Sequence, residues 1–346
     1  MKKNTLAFLL SLTLVAATLA GCGQTPASES TSNPTKSDAP ASSETAASEA
    51  TDENGTNFDL ESRTVTLNNR LEMPILGIGT FNLTPEQAEE SVYNALQDGY
   101  RFIDTANAYM NERGVGRGIK RSDVPREEIF VTTKLWVSEY DNVETAIDET
   151  LARLDLEYVD LLLLHQPYGD YMTAYPAMEK AVEDGKVRAI GLSNFYTEKF
   201  DEIMSVATIP PAVLQIETNP LNQQMDIRPY LAEHGTVLEA WSPLGGRGHT
   251  DELFNNEVIA EIAGAHGKSV VQTILRWHMQ IGNVAIPGST NADHIQENIE
   301  IFDFELTEDE MERIAALDTG VGVYDFSSDE GGDGYTSFSP DFNAQE

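Results

Sequence analysis

Four side chains stand where chemistry could be done, and each falls at or just past the end of a strand-like run. Asp104 closes Arg101-Phe102-Ile103, and Tyr109 follows five residues later in Asp104-Thr105-Ala106-Asn107-Ala108-Tyr109. Lys134 ends Ile129-Phe130-Val131-Thr132-Thr133, and His165 ends Val159-Asp160-Leu161-Leu162-Leu163-Leu164. A phenol with an ordinary pKa of about 10 is a poor proton donor to a carbonyl oxygen until its environment is adjusted. An ammonium beside it favours the phenolate, so Lys134 is expected to lower the pKa of Tyr109 while Asp104 holds and compensates the charge. His165, neutral, would steer a substrate oxygen. Singly, each of these residues has an ordinary structural reading as a packed or ion-paired group. Together they make a hydride-transfer site in which Tyr109 protonates a developing alkoxide. No nucleophile–base pair competes with that reading, and His234, His249, His266, His278 and His294 lack metal-ligand spacing, so no metal is expected.

The elements that must carry this set alternate regularly. Strands are read at 75–79, 102–104, 129–134, 159–165, 187–191, 213–217, 237–240 and 284–286, after a hairpin made by Thr64-Val65-Thr66-Leu67 and Met73-Pro74. Helical patterns lie between them at 85–97, 112–119, 143–154, 174–183, 197–206, 227–233 and 257–280, the last with a possible break at Gly267. Thr84-Pro85-Glu86-Gln87 and Thr307-Glu308-Asp309-Glu310 carry capping-box signatures. Eight short apolar strands alternating with helices predict an α/β fold, a parallel (β/α)8 TIM barrel, with chemistry at the C-terminal strand ends. The alternative is a doubly wound open sheet. It lacks its phosphate-binding turn, because Gly77-Ile78-Gly79 has no third glycine.

The four residues with their surroundings, Tyr109-Met110-Asn111-Glu112, Thr133-Lys134-Leu135-Trp136, Leu164-His165-Gln166-Pro167 and Gly191-Leu192-Ser193-Asn194-Phe195, resemble the aldo-keto reductase family from about Val65 to Asp318. The resemblance implies an NADPH-dependent reductase turning an aldehyde or ketone into an alcohol, with Asp104, Tyr109, Lys134 and His165 as its catalytic tetrad. It implies nicotinamide contacts from Ser193, Asn194 and Gln215, a stacking ring at Trp241 where many members have Tyr, and a pyrophosphate loop at Ser242 and Leu244. Thr80, Ser289, Glu297 and Asn298 complete the implied cofactor set, and Phe81, Trp136 and His165 wall the substrate. There are departures. Gly288 and His294 stand where a Lys and an Arg usually grip the 2′-phosphate, so NADH use is open. Asn219 and Met110 replace a usual His and Gly.

Bulk properties limit the partners. Of 346 residues, 57 are acidic and 22 basic, a net charge of −35 that disfavours nucleic acid and anionic lipid. A small-molecule carbonyl compound and a monomeric state are expected. The only cysteine, Cys22, follows Lys2, Lys3, an apolar run from Leu6 to Leu19, and Leu19-Ala20-Gly21. That layout resembles a lipoprotein signal (1–21), with Cys22 lipidated and the protein anchored outside the cytoplasm. Residues 22–57 are polar and read as a disordered linker reaching roughly 30 Å. The barrel is expected at 58–322 and a flexible acidic tail or lid at 323–346. A different class of function, a tethered barrel that binds ligand with little redox activity, is the alternative, because reduced nicotinamides are scarce outside the cytoplasm.

Overall fold

Strand-forming residues fix the first elements of the computed structural model, which describes residues 57–324, 326 and 332–345. The signal, Cys22 and nearly all of the expected linker lie outside the described residues. Strands β1 (Asn57–Asp59), β2 (Thr64–Thr66) and β3 (Glu72–Pro74) form an antiparallel sheet, so the expected hairpin gains a third strand. Its start at Asn57 takes one residue from the expected linker, because Phe58 pairs with Val65 and packs against the core.

The barrel follows as β4 (Ile78–Gly79), β5 (Phe102–Asp104), β6 (Phe130–Leu135), β7 (Val159–Leu164), β8 (Val187–Ser193), β9 (Val213–Glu217), β10 (Val237–Trp241) and β11 (Val284–Ala285). Neighbours pair in parallel and in sequence order throughout. The ring closes where Leu76 bridges Ala285 and where the amides of Gly77 and Gly79 donate to the carbonyls of Ala285 and Pro287 at 2.9 and 3.1 Å. Closure excludes the open doubly wound sheet. It also demands glycine at the seam. A Cβ on Gly79 would lie 2.7 Å from the carbonyl oxygen of Ile286, and one on Gly288 would lie 2.9 Å from that of Gly79. Every position of β6 and β7 is buried, as expected for parallel strands covered on both faces.

The covering helices are α1 (Pro85–Gln97), α2 (Glu112–Arg121), α3 (Val143–Leu154), α4 (Tyr171–Glu183), α5 (Thr197–Met204), α6 (Arg228–His234), α7 (Gly246–Phe254), α8 (Glu257–His266), α9 (Val270–Gln280), α10 (Ala292–Ile299), α11 (Glu308–Ala315) and α12 (Gly332–Ser337). Both predicted capping boxes form, at Thr84 with Gln87 and at Thr307 with Glu310, each contributing about 1 kcal/mol. The long pattern over 257–280 does break at Gly267, which caps α8 in the left-handed region at φ 65°. Sequence periodicity missed α7 and α10, both short and poor in apolar residues.

The segment expected as a flexible acidic tail or lid is described at 319–324, 326 and 332–345. Its described part packs across the barrel mouth rather than hanging free. The amide of Val323 donates to the Glu217 carboxylate at 2.8 and 3.0 Å. Trp136 Nε1 donates to the carbonyls of Tyr335 and Phe338 at 3.2 and 2.9 Å. Phe326 and Phe342 are buried. Acidic composition suggested solvation, but the aromatic residues spaced through the segment supply enough apolar area to dock it.

Candidate active site

The parallel register brings the four predicted residues to one place. Asp104 ends β5, opposite Thr132, and Lys134 lies two residues further along β6. Lys134 is fully buried, and its Nζ donates to both oxygens of Asp104 at 2.6 and 2.7 Å, to the Thr105 carbonyl at 2.9 Å and to the Tyr109 hydroxyl at 3.2 Å. Tyr109 arrives through the short 3-10 turn Asn107–Tyr109, after which Met110 sits in the left-handed region at φ 58°. That conformation explains why glycine suits the position after the Tyr. Buried Asn111 pins the loop, donating to the carbonyls of Thr80 and Leu83 and accepting from Thr105 Oγ1. His165 follows β7. Its ring centroid lies 5.6 Å from that of Tyr109 and 5.0 Å from that of Trp136.

Electrostatics change one expectation. The Tyr109 phenol is pushed up to about 12, not down, because burial outweighs the pull of Lys134 and the Asp104 charge adds to the rise. The ammonium is already neutralised by a carboxylate in direct contact, so little of its field is left for the phenol. Burial tends to lower the Lys134 pKa, but Asp104 and the Tyr109 oxygen hold it above the ordinary lysine value. His165 is driven well below its usual pKa by burial and then by Lys134, so it is neutral as expected. Its buried Nδ1 has no hydrogen-bond partner. Since Lys134 donates to the Tyr109 oxygen, the phenol proton remains free to point into the cleft.

Sequence reasoning missed Glu239 on β10, fully buried beneath the cluster. Gln215 Nε2 spans the two carboxyl groups, donating to Asp104 Oδ2 at 2.8 Å and to Glu239 Oε1 at 2.7 Å. Burial first, and then the Asp104 charge, push Glu239 up to about 8. Two carboxyl groups share one buried cation there. Asp104, which touches the ammonium, keeps the charge, and Glu239 keeps the proton. The available signal was an acidic residue inside the apolar run Val237-Leu238-Glu239-Ala240-Trp241.

A cleft of about 920 Å³ opens above the cluster. Asp104, Tyr109, His165, Phe81 and Trp136 line it, the ring centroids running 5.0 Å from Phe81 to Tyr109, 5.6 Å on to His165 and 5.0 Å on to Trp136. Ser193, Asn194, Gln215, Trp241, Ser242, Leu244, Ser289, Glu297 and Asn298 line it too. Lys134 stands behind Asp104 and does not reach the cleft. Neither does Thr80. Its hydroxyl donates to the Asp104 carbonyl at 3.0 Å, tying two strand ends together.

A cleft of this volume, with polar and aromatic side chains in its lining, has room for a dinucleotide. Half-buried Trp241 is among that lining, held by an Nε1 bond to Asn194 Oδ1 at 2.9 Å. The loop through Ser242 and Leu244 runs into α7, whose N-terminus has no side-chain cap, a suitable partner for phosphate oxygens. No Lys or Arg is among the described residues that line the cleft. No cluster of potential metal ligands occurs among the described residues. No helix among them is long and apolar enough to cross a membrane.

Comparison with known proteins agrees with this geometry. The profile of the aldo/keto reductase family matches residues 75–319. Glyoxal reductase of Bacillus subtilis (strain 168) is 46% identical over 258 residues, covering 73% of this chain and 92% of that protein. Morphine 6-dehydrogenase of Pseudomonas putida is 44% identical over 276 residues, with 75% and 92% covered. Among solved structures, an aldo-keto reductase from a Medee basin deep-sea metagenome library superposes with a TM-score of 0.74 at 41% identity, covering 77% of this chain and 98% of that one. An aldo-keto reductase of Bombyx mori in complex with NADP gives 0.73 at 34% identity, with 78% and 96% covered.

Proposed function

The chain belongs to the aldo/keto reductase family and is an NAD(P)H-dependent oxidoreductase; from that premise we propose that it reduces a small aldehyde or ketone with Tyr109 as the general acid. The observation that carries the proposal is the Lys134 ammonium, committed to Asp104, the Thr105 carbonyl and the Tyr109 oxygen beneath the cleft. A bound nicotinamide supplies the hydride that adds to the carbonyl carbon. Tyr109 gives its proton to the carbonyl oxygen as negative charge gathers there, and an N–H of neutral His165 holds the same oxygen. A phenolate left beside Lys134 is stabilised at 3.2 Å, and Asp104 keeps that lysine charged. A phenol that stays protonated through neutral pH suits an acid that must donate on every turnover.

The same reading assigns Ser193, Asn194 and Gln215 to the nicotinamide amide and Trp241 to its ring. Ser242, Leu244 and the α7 amides take the phosphates, and Ser289, Glu297 and Asn298 the adenosine end. Gly288 and His294 withdraw two charge-assisted contacts to a 2′-phosphate, each worth about 1.5–3 kcal/mol. We take NADPH and NADH as both usable, with weak selection between them. The layout Leu19-Ala20-Gly21-Cys22 supports a lipid-anchored enzyme working outside the cytoplasm. The test is an assay of the purified full chain with each cofactor against aldehydes, ketones and keto acids. Turnover with both cofactors supports the reading. Tight ligand binding without any cofactor oxidation would replace it with the tethered binding barrel.

A further inference from the structure

A fully buried histidine on α9 reaches the loop assigned above to the cofactor phosphates. His278 Nε2 lies 3.1 Å from the Pro243 carbonyl oxygen, and its Nδ1 lies 3.0 Å from Asn283 Nδ2. Hydrogen-bond roles along this chain are forced from its outer end. Arg228 on α6 can only donate, and its guanidinium lies 2.6 Å from Asn283 Oδ1. That oxygen accepts, so Asn283 Nδ2 donates and His278 Nδ1 is the bare, accepting nitrogen. The one proton of the neutral ring therefore sits on Nε2 and is given to Pro243. Burial drives the His278 pKa down to about 3, against the pull of the Pro243 bond and with help from the Arg228 charge, so the ring is neutral at neutral pH. A trans peptide points its C=O and N–H in opposite directions. With the Pro243 carbonyl drawn in to α9, the Leu244 amide faces away from α9. Ser242, Pro243 and Leu244 line the cleft, and the Leu244 N–H meets no acceptor among the described residues. Ser242 itself sits in the left-handed region at φ 49°, a conformation that a non-glycine residue keeps only when its surroundings hold it.

Resting on the reductase reading above, we infer that His278 is a positioning residue for the cofactor: it holds the Pro243 carbonyl against α9 and so keeps the Leu244 amide turned to the cleft as a donor to a phosphate oxygen. An amide bound to a phosphate oxygen makes a charge-assisted bond, which is lost when the peptide plane rotates. Without the Nε2 proton, the Pro243 carbonyl loses the donor that satisfies it, and nothing opposes relaxation of the left-handed Ser242. The loop then presents its amides in several orientations, and a cofactor must order it on binding. This acts on the pyrophosphate that NADPH and NADH share. Tyr109, Lys134 and the hydride step are left alone.

The test compares two variants of the purified full chain. His278→Met keeps the bulk and removes the donor, whereas His278→Gln can still offer an amide N–H to the same carbonyl. Calorimetry gives the Kd of NADPH and of NADH, and single-turnover reduction of an aldehyde at saturating cofactor gives the chemical step. His278→Met should weaken both cofactors by about 10-fold to 100-fold, with the single-turnover rate within about threefold of the parent. His278→Gln should recover most of that affinity, which a histidine that merely fills space would not allow. Unchanged affinity in His278→Met, or equal weakening in the two variants, overturns the inference. Should neither variant fold, the parent decides through the imidazole NMR signals of His278. These should show a protonated Nε2 and a bare Nδ1, with the Nε2 proton shifting as NADPH binds. A proton on Nδ1, or an Nε2 signal indifferent to NADPH, overturns the inference. In each of these cases the reductase reading stands. A parent that oxidises neither cofactor with any aldehyde removes that reading and this inference with it.

Discussion

Glu239 carries the least expected chemistry at the scale of single residues. Its folded pKa of about 8 lies above the ordinary carboxylate value, so the folded state holds a proton that the unfolded state gives up. At pH below the unfolded pKa, both states are protonated and this group costs nothing. Between there and about pH 8 the native state binds the extra proton, so stability falls as pH rises through that window. Glu239→Gln keeps the shape and removes the titration. Denaturant midpoints should therefore fall less between about pH 5 and about pH 8 in the variant than in the parent. A parallel decline in the two would show Glu239 to be ionised in the fold. The seam residue Gly288 gives a second contrast. His294 is exposed at the cleft, so His294→Arg should raise the NADPH-over-NADH ratio of kcat/KM by about tenfold. A side chain at position 288 would meet the Gly79 carbonyl at 2.9 Å, so Gly288→Ala should lower the melting temperature. The four-residue cluster was legible in the sequence because Asp104, Lys134 and His165 each end a strand-like run and Tyr109 follows the first of them by five residues. The direction of the Tyr109 shift was not, because it depends on burial set against a neutralised ammonium, a balance that spacing cannot supply.

At the scale of elements, strands and long helices were readable wherever an apolar face repeats. Strands β5 and β9 and helices α1 and α3 fall at their predicted bounds. Helices α7 and α10 were not found, since both are short; α10 packs on α1 and α9, and α7 on α8, contacts that lie far apart in sequence or outside a long periodic run. For a related reason the sequence left the C-terminal segment open between tail and lid. Its charges suggested solvent, while its docking depends on partners far away in sequence. One partner is the buried ion pair of Glu112 on α2 with Arg153 on α3, at 2.6 Å, where Arg153 also donates to Asn343 Oδ1 at 3.0 Å. The backbone amide of Arg113 donates to Gln345 Oε1 at 3.2 Å beside it. Arg153→Met strands the Glu112 carboxylate in the interior and should cost about 3–5 kcal/mol in denaturant unfolding. It should also speed proteolysis of the C-terminal segment. Trp136→Phe removes two hydrogen bonds to that segment with no loss of a buried charge, so it should speed the same proteolysis with little change in global stability.

At the scale of the whole molecule, charge works against the reaction that the site performs. A chain of net charge −35 repels a dinucleotide carrying several negative charges, and local amides with the α7 terminus oppose that field. Raising ionic strength from about 0.01 M to about 0.15 M shortens the screening length from about 30 Å to about 8 Å, so the KM for cofactor should fall with added salt. A rise would mean that local cations dominate cofactor capture. Tethering through Cys22 would not alter this, since the field belongs to the folded domain.

The reductase account rests on the proton of Tyr109, and Tyr109→Phe tests it most directly. The variant should bind NADPH with unchanged quenching of tryptophan fluorescence while kcat for aldehyde reduction drops by about 10³-fold or more. Turnover within about tenfold of the parent, with cofactor still bound, would contradict the account.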